Sequence, residues 1–201
     1  QCGMEISEVL PNIAAHADDL CLVRSMHTNH NNHSEGQVML LTGRIFEGRP
    51  CIGSWISYAL GRENQNLPAY VVLRDPNGEE ANTLWSSGWM SASHQGTEFS
   101  ATGVPMLNLQ SSRPQQQGVQ RNNLNFLQSL NRLHQAKYPE DERLESRIQN
   151  YELAARMQIE AMQVAGTSDE PASIRKLYGL DEGTTSSYGM RCLLARKLVE
   201  A

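Results

Sequence analysis

Short apolar runs alternate with helix-length stretches over residues 20–75, and that order restricts the fold more than any other property of the chain. Leu20, Cys21, Leu22 and Val23 form a run flanked by polar residues, the pattern of a strand buried on both faces. Residues 34–41 then take on helical spacing and close at Gly43. "SWISYALG" repeats the arrangement, with Ser54 as candidate N-cap and Gly61 as terminator. "AYVVLRD", after Pro68, supplies a second buried strand. Strand, helical crossover, strand is the order a parallel sheet requires, so the expected fold class is α/β.

The flanks are helical. Residues 5–16 carry Ile6, Val9, Leu10, Ile13 and Ala14 at helical intervals, with Pro11 placed to kink or shift the start. Leu124, Leu127, Leu130 and Leu133 predict a helix ended by Pro139, and Leu144, Ile148, Tyr151, Ala155 and Met162 predict a long amphipathic one closed by Gly166. The methionines there read as core packing. A last helix runs through Met190, Leu193, Leu194 and Leu198 to the final residue, and the whole pattern is that expected of a piece cut from a longer chain at both ends. Residues 76–118 break the rhythm, being rich in Gly, Ser, Asn, Gln and Pro. They read as an irregular, lid-like excursion, given partial order by Trp85 and Trp89.

Composition removes several classes of function. With 17 Lys and Arg against 22 Asp and Glu the net charge is -5, and no basic stripe is present to follow a phosphate backbone, so nucleic acid is not an expected partner. No apolar run approaches the roughly 20 residues that span a bilayer, and none is expected to be transmembrane. Cys2, Cys21, Cys51 and Cys192 lie far apart without C-x-x-C pairing, which fits buried free thiols.

The segment "SMHTNHNNHSEG" places His27, His30 and His33 three apart, where the chain would leave the first strand. Open α/β sheets hold ligands at the carboxyl ends of their strands. The following helix would offer free backbone N–H groups and its positive end to an anion. Imidazoles there suit metal ligation or proton transfer near neutral pH. Asn29, Asn31 and Asn32 equally suit a polar turn, with Ser34 as a simple N-cap. His16 and His134 fall on expected helices and read as structural. Arg44 suits either an anion or a surface salt bridge.

These strings, with "GRPCIGSWISYALGRENQNLPAYVVL", "LWSSGWMSASHQGTEF" and "SDEPASIRKLYG", closely resemble the bacterial family known as domain of unknown function 1501 along essentially the whole chain. Members are often labelled sulfatase-like and are placed in the alkaline phosphatase-like superfamily. The resemblance implies a partial three-layer α/β fold over residues 1–201 with a divalent-metal centre (Zn, Ca or Mg) at the carboxyl end of its sheet. Superfamily sulfatases start a helix with a Cys or Ser nucleophile in a C-x-P-S-R stretch running on to Leu-Thr-Gly-Arg. Counting back from Leu41-Thr42-Gly43-Arg44 puts His33 at that place, with Gln37 where the sulfatases carry arginine. His33, with Asn32 and Ser34, is thus the expected catalytic group, His33 also the expected metal ligand, and Ser34 a rival nucleophile.

His30, Arg44 and His94 are the expected substrate contacts, the last because the family carries a similar His-Gln-Gly. The remaining superfamily ligands would come from strands on either side of this chain, so the piece by itself is expected to show little activity. The implied activity is cleavage of a sulfate or phosphate ester in an anionic small molecule or polysaccharide. The competing expectation is a non-catalytic protein of the same fold that holds a sulfated polysaccharide or a protein partner. Family members commonly begin with an export signal, which implies the periplasm or cell surface.

Overall fold

The structure, a computed structural model, describes residues 3–75, 82–100, 119–166 and 170–201. The chain divides into two compact units, Gln1–Asn32 and His33–Ala201.

The first unit holds helix α1, Pro11–Ala14, and a 3-10 turn at Ala17–Asp19. The longer helix expected over 5–16 is cut to this because Pro11 occupies the first helical position. Proline lacks an N–H and fixes φ, which suits a helix start and no later place. The strand expected at 20–23 does not form: the segment lies outside any ladder, with Leu20 46%, Leu22 56% and Val23 56% exposed. A strand is made by its partners, and a run that pairs with none stays loop however apolar it is.

In the second unit α2 spans His33–Thr42 and α3 Ile52–Leu60, each followed by a glycine at positive φ, Gly43 at 74° and Gly61 at 72°. Both terminators are as the sequence predicts, since the left-handed C-terminal turn costs glycine nothing. Strand β1, Val71–Val72, pairs in parallel with β2, Thr97–Glu98, in the register Val71 to Thr97 and Val72 to Glu98. Tyr70 and Val72 accept from the amides of Thr97 and Phe99, each at 2.9 Å.

Side-chain alternation along β1 gives the small sheet two covered faces. Tyr70 and Val72 pack with Val38 and Leu41 of α2 and with Leu84 and Trp85 from a 3-10 turn at Asn82–Trp85. Val71 and Leu73 pack with Leu67, Phe99, Met157 and Leu194. Those last two belong to α5, Glu142–Ala165, and α7, Ser186–Glu200. Full burial of a side chain of this size contributes roughly 1.5–3 kcal/mol, so the second cluster, with Phe99 at 1% and Leu194 at 2% exposure, is a principal fastening of the unit. The second unit is thus mixed and helix-rich around a two-stranded parallel sheet, with Met157 in its core as expected of the methionine positions.

Helix α4, Val119–Lys137, and α5 lie against each other on either side of Pro139, and the short α6, Ala172–Leu177, precedes α7. Gly189 lets α7 cross the Tyr178 carbonyl, where a Cβ would overlap the oxygen. Of the excursion, 76–81 and 101–118 lie outside the described residues, while 82–100 is packed through Leu84, Trp85 and Phe99. Cys51 is buried, but Cys21 is exposed and Cys192 half-buried; all three are free thiols, and Cys2 lies outside the described residues.

Candidate functional site

Helix α3 is laid down with its small polar side inward. Cys51, not Ser54, takes the N-cap position, at φ -75° and ψ 166°, so that Ser54 falls inside the first turn at 0% exposure and Ser57 follows on the same side at 4%. The Ser54 hydroxyl donates to the Ser86 carbonyl at 3.2 Å and stands 3.3 Å from the Cys51 sulfur. The Cys51 thiol in turn donates to the Tyr70 hydroxyl at 3.6 Å. Burial pushes the Tyr70 phenol well above the usual tyrosine range, with Cys51 adding to it.

Ser57 meets His94. Its Oγ lies 3.0 Å from Nδ1 of the ring, while Tyr58 packs edge-on to that ring with centroids 5.5 Å apart. His94 ends a 3-10 turn, Ala92–His94, whose preceding residue Ser91 accepts from the Ser93 amide at 3.3 Å and bonds the Ser146 hydroxyl of α5 at 2.6 Å. The imidazole is therefore fixed between α3 and α5, three residues ahead of β2. It borders a cavity of about 650 Å³ whose lining includes Arg62, Tyr70, Gln149 and Asn150. A ring held by one nitrogen in such a cleft can exchange a hydrogen bond or a proton with a ligand through the other.

The other expected residues are not gathered there. His27, His30 and Asn32 belong to the first unit: His27 Nδ1 is 3.2 Å from the Ser25 carbonyl, and His30 Nδ1 accepts from the Asn32 amide at 3.4 Å. His33 and Ser34 open α2 in the second unit, both exposed. The three rings thus form local turn contacts or begin a helix, and the strand that was to bring them to a sheet rim is absent. Arg44 is exposed just past α2, where its amide donates to Thr42 Oγ1 at 3.3 Å.

Glu35, in the first turn of α2, has one carboxylate oxygen enclosed without a hydrogen-bond partner among the described residues. A protein-built divalent centre commonly draws on three or more such donors. Among the described residues no group of three or more His, Cys, Asp or Glu stands together, so those present do not complete one. No motif in the sequence marks Ser57, Tyr70 or Glu35. The signal for Ser57 was there, in the three-residue spacing from Ser54.

Fold and site define a helix-rich protein with a small parallel sheet and a histidine-bordered cleft beside it. Over residues 1–201 the chain matches the family model described as Protein of unknown function (DUF1501), and it belongs to that family. No curated protein and no solved structure matches it. Among the described residues no helix is long and apolar enough to cross a membrane.

Proposed function

We propose that the chain is the central part of a metal-dependent hydrolase-like protein of the alkaline phosphatase-like superfamily, acting on a sulfate or phosphate ester. The observation that carries the reading is the register of α2: His33 is its first residue, and the helix runs ten residues to the Thr42-Gly43-Arg44 end. In the superfamily that the family resemblance implies, sulfatases begin their nucleophile helix at the corresponding place. The first-turn amides and the positive helix end suit the charge that develops on a sulfuryl or phosphoryl group under attack.

In this reading His33 or Ser34 attacks the sulfur or phosphorus, the ester S–O or P–O bond breaks, the departing alkoxide takes up a proton from water, and a second water hydrolyses the sulfated or phosphorylated side chain to release sulfate or phosphate; where the side chain only positions the attacking water, that water's proton goes to the alkoxide. The remaining metal ligands come from other segments of the parent protein. The alternative is a protein of the same fold that binds such an ester, or a protein partner, without turning it over.

The test uses the full-length protein, stripped with chelator and reloaded with Zn, Ca or Mg, on para-nitrophenyl sulfate and para-nitrophenyl phosphate. Turnover of one ester is expected, falling by about a hundredfold or more in His33→Ala or Ser34→Ala. No turnover under any metal, or turnover unchanged in both variants, overturns the catalytic reading in favour of the binding one.

A further inference from the structure

A row of exposed aromatic rings runs up to His94. Trp89 meets Trp55 with ring centroids 5.6 Å apart, Trp55 meets Tyr58 at 6.4 Å, and Tyr58 meets His94 at 5.5 Å, all edge to face. Contacts of this kind hold each ring in place. Even so Trp89 is 67%, Tyr58 63% and Trp55 47% exposed. Scattered surface aromatics need no explanation, but a connected, positioned and open set does.

The two ends of the row, His94 and Trp89, each border a cavity, with Trp55 and Tyr58 on the surface between them. Besides the 650 Å³ cleft at His94 there is a second, of about 990 Å³, whose lining includes Trp89 and Tyr151. The two share Ala92, Gln95, Asn150 and Ala154, so they lie side by side over the Ser91–His94 turn and α5. Their polar lining is mostly uncharged: Ser93, Gln95, Gln149 and Asn150 offer hydroxyl and amide groups, with Arg62 and Glu98 in one cavity, the latter paired with Arg74, and Arg147 in the other.

We propose that these joined cavities bind a linear oligosaccharide. A pyranose ring has an apolar C–H face that stacks on indole or phenol, and a rim of hydroxyls that needs just such a mixture of amide and hydroxyl partners. A purely apolar ligand leaves the amides unpaired at a cost. A polyanion with no sugar face leaves the rings unused. A chain of several sugars is the ligand that occupies two adjoining cavities with a shared wall. Arg62 and Arg147 accept acidic or sulfate substituents where the sugar carries them. The assignment does not depend on His33 and stands whether or not that residue is catalytic.

The experiment is calorimetric and fluorimetric titration of the full-length protein with linear hexasaccharides, neutral ones from xylan and glucan and sulfated ones from chondroitin sulfate. Trp85 is only 5% exposed, and ligand-dependent quenching that disappears in Trp89→Phe is assigned to Trp89. At least one hexasaccharide is expected to bind. Trp89→Ala and Asn150→Ala are each expected to weaken binding about tenfold or more, while Trp89→Phe retains most of it and Tyr188→Ala, an exposed aromatic that lines neither cavity, all of it. Loss of affinity in Arg62→Gln for the sulfated ligand alone identifies the anionic substituent as a recognised group. Equal loss for both kinds identifies the sugar itself. Both substituted side chains are exposed, and unchanged circular dichroism and melting confirm that the variants fold. No binding by the whole panel, binding that ignores both Trp89→Ala and Asn150→Ala, or binding abolished by Tyr188→Ala overturns the proposal.

Discussion

Gly53 sits in the first turn of α3, where replacing glycine by alanine should ordinarily help. Helix propensity favours alanine by up to about 1 kcal/mol, and the unfolded chain loses freedom as well. Here the sign reverses. A Cβ on Gly53 would overlap Cζ, Cε1 and Cε2 of the Tyr70 ring, and that ring cannot simply retreat. On Gly96, a Cβ would already stand 2.9 Å from Tyr70 Cε1, with Val72 and Trp85 equally close. Overpacking of a fixed aromatic costs about 1–3 kcal/mol, and displacing Tyr70 from the Cys51 thiol forfeits roughly another 1 kcal/mol. Gly53→Ala is therefore expected to destabilise by about 1–3 kcal/mol net, measured as the shift of a urea unfolding midpoint. In a Tyr70→Ala background the obstacle is gone. The same substitution should then stabilise by up to about 1 kcal/mol. Stabilisation in the parent protein, or equal effects in both backgrounds, would refute the claim that Tyr70 is wedged between α3 and the Gly96 turn.

Two further outcomes follow from the core. Phe99→Ala should cost about 3–5 kcal/mol in the same urea assay, because the ring is 1% exposed and joins β2 to Met157 of α5 and Leu194 of α7; a loss well under that range would show that those helices do not hold the sheet. Tyr70 gives a pH dependence. Its folded-state pKa is raised, so the protonated phenol contributes stability that is whole below the unfolded value of about 10 and is lost as pH rises from there toward the folded value. Melting temperature should accordingly fall above about pH 10, and Tyr70→Phe should flatten that fall; an unchanged alkaline slope would locate its cause elsewhere.

What could be read from the sequence is what is decided within a few residues. Helices α2, α4, α5 and α7 and the turns at Gly43 and Gly61 are specified by spacing and by glycine, and they stand where the pattern put them. The strands were harder because pairing is a matter of distant partners. Leu20 to Val23 has strand composition and finds no ladder, whereas Thr97–Glu98, polar and set among Gly, Ser and Gln, is held in one by the Tyr70 and Val72 carbonyls. Hydrophobic pattern cannot tell these cases apart.

Helix α3 shows a second limit, and it bears on the site. A helix ordinarily turns its apolar residues inward, but the structure buries Ser54 and Ser57 and leaves Ile52 57%, Trp55 47% and Ile56 53% exposed. The inversion is affordable because each buried hydroxyl has a partner, Ser86 for one and His94 for the other. It also explains why His94 and its cleft, rather than the more conspicuous histidine triplet, form the better-constructed site. His27 and His30 are engaged in contacts two residues away along the chain, which any polar turn can make. His94 is held by a residue 37 positions distant and fixed to α5 through Ser91 and Ser146. Order of that kind requires α3, the turn and α5 to fold together, so a site built on it is lost with the tertiary structure and a turn histidine is not.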